Sequence, residues 1–323
     1  MKFAQLALGA SFLAGMMTAP AMAANLTGAT VTGGQYKVYQ ENPDNGGLLF
    51  EVTASDANAL EALQEPDGTL ASPGGNVELF SDSETNAYTS LGAFQTASRT
   101  TLTTVFDNGT EIAFTSLNGE DFFGSTPDYN YGASNLANEW FDAAFSANLA
   151  ANGINEGLLF AISGGLGGPS SRAGFFNAFL GAGGFQRAAD ANISFVNLDD
   201  DGNVSYGLAG HVDLLFYAAG TPLAGLLTAF GDVQVQASEL VKVAINGEPA
   251  SEAIGADDGV MYSFAATDSD VVSADDNTSF SATYDPGTIT VPGDSEDVPE
   301  PASVLGLVAL GGLAVASKRK SLA

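Results

Sequence analysis

The sequence predicts an α+β fold. It is a strand-rich, β-sandwich-like pair of sheets with a few helices in the middle third, joined to an N-terminal signal peptide and a C-terminal transmembrane helix. Three observations carry the globular part. Two β-branched runs face each other across turn residues, at 100–106 with 111–115 and at 193–198 with 204–208. Apolar residues at helical spacing are concentrated in the central part of the chain. Further short strand-like runs flank that region on both sides, which suits sheets decorated by helices rather than alternating βαβ units.

The elements follow in order. Strand patterns occur at 35–39, 48–53 and 77–80, with a short helical pattern at 57–63 between the last two. The 100–115 hairpin turns at Asp107-Asn108-Gly109, where Asn-Gly supplies the positive φ of a tight turn. Residues 136–151 put Leu136, Trp140, Phe141, Ala144, Phe145 and Leu149 on one helical face, and Asn152-Gly153 stops the helix. In 172–180 the residues Phe175, Phe176, Phe179 and Leu180 share a side. Thr221-Pro222 opens a third helix to about residue 230, with Thr as cap and Pro at the first helical position. These aromatic stripes read as core. Strands resume at 233–236, 260–264, 279–284 and 288–291. No fixed-period repeat points to a solenoid or propeller.

Charge narrows the partners. From Ala24 to Val298 there are 37 acidic residues against 5 basic ones, a formal charge of −32. Such a body repels nucleic acid and anionic lipid, and favours cations or cationic partners. The chain has no Cys, so disulfides, thiolate nucleophiles and thiolate metal sites are excluded.

Few residues carry recognisable chemistry. The single histidine, His211, is the one residue a Ser–His–Asp arrangement could use, with Asp213 two positions on; no G-x-S-x-G elbow accompanies it, and a structural strand histidine uses the same sequence. One His without Cys cannot furnish a usual zinc site. The stretch 164–169 is glycine-rich but lacks the Lys of a phosphate loop, and reads as a flexible loop. Asn197, Asp199 and Asp201, followed by Gly202, match the front of a calcium loop, whereas Leu208 stands where the bidentate Glu belongs. An acidic β-turn needs the same residues, so calcium and a metal-free turn are both open here. Carboxylate pairs for glycoside hydrolysis are defined in space, and sequence spacing singles none out among so many acids.

The two ends are addresses. Lys2, an apolar run at 3–17 and the small residues Ala21 and Ala23 make a secretory signal over 1–23, cleaved after Ala23. A single globular domain spans 24–284, and an acidic linker with two Pro and two Gly spans 285–298. Residues 302–317 carry no charge and reach about 24 Å as a helix, a short span for a hydrocarbon slab of roughly 30 Å. Lys318, Arg319 and Lys320 stop that span and stay inside by the positive-inside rule, leaving the body outside.

Pro299-Glu300-Pro301, this Gly/Leu/Val/Ala segment and the basic end together resemble a PEP-CTERM sorting signal, as found in Gram-negative bacteria including cyanobacteria. The resemblance covers 299–323. It implies export through the secretory translocon, transient inner-membrane anchoring, processing near Pro299, Glu300 and Pro301 by an exosortase-type enzyme, and a cell-surface or extracellular destination among exopolysaccharide or biofilm material. It is silent on the body, which resembles no characterised family. The expected function is that of an exported, non-catalytic surface or matrix protein; the alternative is a secreted Asp/Glu-dependent polysaccharide hydrolase.

Overall fold

The computed structural model describes residues 22–41, 47–64, 74–79, 90–214, 233–250, 259–269 and 271–291. The first part of the chain forms β1 (Met22–Ala24), β2 (Leu26–Gly33), β3 (Lys37–Glu41), β4 (Leu48–Val52), α1 (Asp56–Leu63) and β5 (Asn76–Glu78). Then come α2 (Leu91–Gln95), the hairpin β6 (Thr100–Phe106) and β7 (Glu111–Thr115), and five helices: α3 (Gly119–Phe123), α4 (Leu136–Ala151), α5 (Glu156–Gly165), α6 (Arg172–Gly181) and α7 (Gly184–Ala188). The last part holds β8 (Asn192–Asp199), β9 (Asn203–Gly210), β10 (Val241–Ile245), β11 (Glu248–Pro249), β12 (Val260–Met261), β13 (Ala266–Asp268), β14 (Val272–Ser273), β15 (Ala282–Tyr284) and β16 (Ile289–Thr290).

These strands make two sheets. The first has ten strands in the order β13-β15-β9-β8-β5-β3-β4-β14, with β1 beside β8 and β16 beside β9. The second has six, β11-β10-β7-β6-β2, with β12 beside β10. The two-residue contact of β14 with β4 is parallel. The main hairpins are antiparallel. A bulge in β8 between Ile193 and Phe195 resets the alternation, so Ile193, Val196 and Leu198 all stand opposite the buried Leu208, Tyr206 and Val204 of β9. Tyr206 meets Phe114 of β7 with ring centroids 5.0 Å apart, and this contact joins the two sheets.

Both predicted hairpins form, and their glycines have the expected conformation, with Gly109 at φ 87° and Gly202 at φ 78°. A third hairpin joins β10 to β11 through Asn246 (φ 51°) and Gly247 (φ 85°), the pair of positive φ values a two-residue turn requires. The exposed edge of β2 is covered by α1. The Val31 amide donates to Asp56 Oδ1 at 3.1 Å, and the Leu26 carbonyl accepts from the Gln64 side chain. That occupies backbone groups which would otherwise template pairing with another chain.

The helices start where small polar residues can cap them. Ser55, Ser90, Asn118, Asn135, Asn155 and Ser171 each accept a backbone amide of the first turn of α1 to α6, in that order. Their aromatic faces merge into one core containing Phe94, Phe122, Phe123, Trp140, Phe141, Phe176 and Phe185. Ring pairs there are tilted or edge-on, as the ring quadrupole favours. Gly119 lets α2 and α3 touch, because a Cβ there would lie 2.7 Å from Gln95 Cα.

Some expectations need correction. Residues 233–236 form no strand. Instead they lie extended along α4, where Asn148 donates to and accepts from the backbone of Gln236, and Asn152 does the same with Gln234. The glycine-rich 164–169 stretch is not wholly loop, since Gly164 and Gly165 close α5. The strand patterns at 260–264 and 279–284 shrink to two and three residues. Within the predicted linker, Ile289 is buried at the start of β16. The predicted helix at 221–230 lies outside the described residues. All the described elements before β16 belong to one unit, Met1–Ile289; a second comprises Thr290–Ala323.

Candidate functional site

The Asp199 turn is built by its own side chain. Asp199 Oδ1 accepts the amides of Asp201 (2.9 Å) and Asn203 (2.7 Å), and Oδ2 accepts from the Asn203 side chain at 3.0 Å. The Asn203 amide, with the smaller help of its side chain and the Asp201 amide, holds the Asp199 carboxyl below its usual range. Asn197 lies two residues earlier on β8, opposite Ser205, and Asp201 is exposed at the tip. The turn therefore closes through hydrogen bonds of Asp199, the residue that would be central to a calcium loop. Among the described residues no group of three or more His, Asp or Glu side chains is arranged to hold a metal ion.

His211 is buried just beyond β9, and its carbonyl accepts the Tyr284 hydroxyl at 2.6 Å. Asp213 accepts the Val235 amide at 3.0 Å, a contact that fixes the 233–236 segment. Both residues thus take part in local architecture.

The densest electrostatic site escaped the sequence reading. Asp121, on α3, has a side chain only 4% exposed. Arg99 grips it with two hydrogen bonds of 2.7 and 3.0 Å, Lys242 Nζ lies 2.6 Å from Oδ1, and the Asn118 amide donates at 2.9 Å. Burial alone would raise the Asp121 carboxyl. The donors from Arg99, Lys242 and Asn118 outweigh it, so the carboxyl stays below its ordinary value. Glu120 stands 3.9 Å from Arg99, giving two cations against two carboxylates. A cavity of about 330 Å³ opens beside this cluster, lined by Thr115, Lys242, Val243, Ala244 and Pro249.

A second network staples the helices. Arg172 of α6 reaches Glu156 of α5 at 2.6 and 3.1 Å and Asp142 of α4 at 3.2 Å, with its guanidinium over the Phe145 ring. Glu156 is held below its usual range, chiefly by that hydrogen bond, which suits an ion-pair partner rather than a general acid. With the Lys37–Glu51 contact at 3.9 Å, Lys37, Arg99, Arg172 and Lys242 each stand against a carboxylate.

Ala23 falls in β1, so cleavage after it would leave Ala24 paired with Leu198. Ala21, Pro299, Glu300, Pro301, Lys318, Arg319, Lys320 and the predicted membrane segment 302–317 lie outside the described residues. Among the described residues no helix is long and apolar enough to cross a membrane.

Comparison with known proteins is informative at that end. We found no match among curated proteins and none among solved structures. The family model of the PEP-CTERM protein-sorting motif matches residues 297–320, a stretch that contains Pro299-Glu300-Pro301, the uncharged segment and the basic cluster. The chain carries a PEP-CTERM sorting signal, and is thereby an exported substrate of an exosortase-type enzyme.

Proposed function

We propose that the protein is a non-catalytic surface or extracellular-matrix component, released from the inner membrane by its sorting enzyme to associate with exopolysaccharide. The sorting motif at 297–320 is the observation that carries this reading. The body is consistent with it. Its cations are largely consumed in internal ion pairs, so the outer charge is acidic and the polar surface is rich in hydroxyl and amide groups.

Replacing Pro299, Glu300 and Pro301 together by Ala tests the sorting step. The expected result is full-length protein retained in the inner-membrane fraction, with the wild type recovered outside the cell. Equal release of both would overturn the assignment.

A further inference from the structure

The outer face of the second sheet differs from the rest of the acidic body. The register sets Thr32 beside Thr101, Thr101 beside Thr115, and Thr115 beside Lys242. The next row is Thr30, Thr103, Ala113 and Ala244. Between these positions Leu102, Phe114 and Val243 turn inward and are buried, so the two rows share the outward face, with Thr30 and Thr32 exposed. Neighbours across strands stand about 4.8 Å apart, and residues two apart along a strand about 6.8 Å, which makes a regular grid of hydroxyls and methyls. The Thr101 and Thr115 hydroxyls already hydrogen bond at 2.9 Å, which fixes their orientation. The cavity lined by Thr115, Lys242, Ala244 and Pro249 adjoins the same rows.

We propose that this face and its adjoining cavity bind a neutral, hydroxyl-rich polysaccharide. The inference rests on the matrix-protein reading and gives it a site. Charge selects the ligand class. The two rows hold one ionised side chain, Lys242, whose charge is spent on Asp121 at 2.6 Å; the neighbouring cluster balances Arg99 and Lys242 against Asp121 and Glu120, and the exposed Glu111, next after Ala113 on the same face, adds a negative charge. An anionic glycan would meet no free cation here and would be repelled by the rest of the body. A neutral glycan incurs neither cost. It finds hydroxyls that both donate and accept, two further Lys242 N–H donors, and threonine methyls to pack against its rings. The cavity volume falls within the usual range for small-ligand sites.

Affinity electrophoresis of the purified full chain tests this, with dextran, mixed-linkage β-glucan and galactomannan as neutral probes and alginate as the anionic one. The wild type is expected to be retarded by at least one neutral probe and not by alginate. T101V/T103V/T115V, which removes three hydroxyls while keeping β-branched shapes suited to strands, should weaken that retardation at least 10-fold with an unchanged melting temperature. If the triple variant does not fold, T30V/T32V, at the exposed side chains of β2, carries the same expectation. Retardation equal in wild type and folded variants would overturn the site while leaving polysaccharide association standing. Retardation by alginate alone would overturn the neutral-ligand assignment. No retardation by any probe would overturn both the site and the reading beneath it.

Discussion

At Asp121 one nearly buried carboxylate accepts two hydrogen bonds from Arg99, one from Lys242 and one from the Asn118 amide. Removing its charge would leave two cations facing each other without the anion between them. Asp121→Asn should therefore cost about 3 kcal/mol at neutral pH, the low end for breaking a shielded pair. The pH dependence has a definite sign. The folded carboxyl titrates below its unfolded value near 4, so its contribution is complete above that value and fades as pH falls through the lower, folded one. Urea unfolding of wild type and D121N should show a stability gap that is constant from neutral pH down to about 4 and shrinks in stronger acid. A gap unchanged across that whole range would mean that the variant disturbs packing rather than charge. The ion pairs of Asp121 have no sequence signature, because the cationic partners lie 22 and 121 positions away and meet only through the fold.

Among the elements, α4 does two jobs with two faces. Its apolar face, with Trp140 and Phe141, enters the aromatic core, and that part was legible from helical spacing. Asn148 and Asn152, four apart and so about 6 Å along the helix axis, match the roughly 6.8 Å between Gln234 and Gln236 on an extended chain. Each amide then forms a two-bond ring with one backbone residue, as a strand edge would. Asn148→Ala removes two such bonds to a part-buried backbone and should cost about 2 kcal/mol in urea unfolding. A loss below about 0.5 kcal/mol would show that the segment is held by other contacts. The same segment shows why strand reading failed there. Val233, Gln234, Val235 and Gln236 alternate as a strand does, but their partner is a helix side chain, which periodicity does not reveal. The opposite error occurred at α5, where terminal glycines and the exposed Leu158 blurred a helix that Asn155 caps well. α3 was too short for periodicity, although its capping box, Asn118 with Asp121, stands in the sequence. The hairpins were legible because Asn108-Gly109 and Asp201-Gly202 specify conformation locally.

For the whole molecule, a formal charge of −32 over residues 24–298 is a destabilising self-repulsion that internal ion pairs relieve only in part. Salt should relieve more of it, since the screening length falls to about 10 Å at 0.1 M ionic strength. The melting temperature is therefore expected to rise between about 10 mM and about 150 mM NaCl. A divalent ion would add to this through the general acidic field whether or not a specific site exists, so a rise in calcium alone says little. The informative comparison is calcium against magnesium at matched ionic strength. The Asp199 carboxylate oxygens are already engaged by Asp201 and Asn203, so the turn needs no ion to close. Equal melting temperatures in the two salts, each lowered alike by chelator, are the expected result. An excess for calcium that Asp199→Asn abolishes would instead assign a bound ion to Asn197, Asp199 and Asp201. That variant keeps an oxygen able to accept the Asp201 and Asn203 amides while removing a negative charge that would strengthen calcium binding.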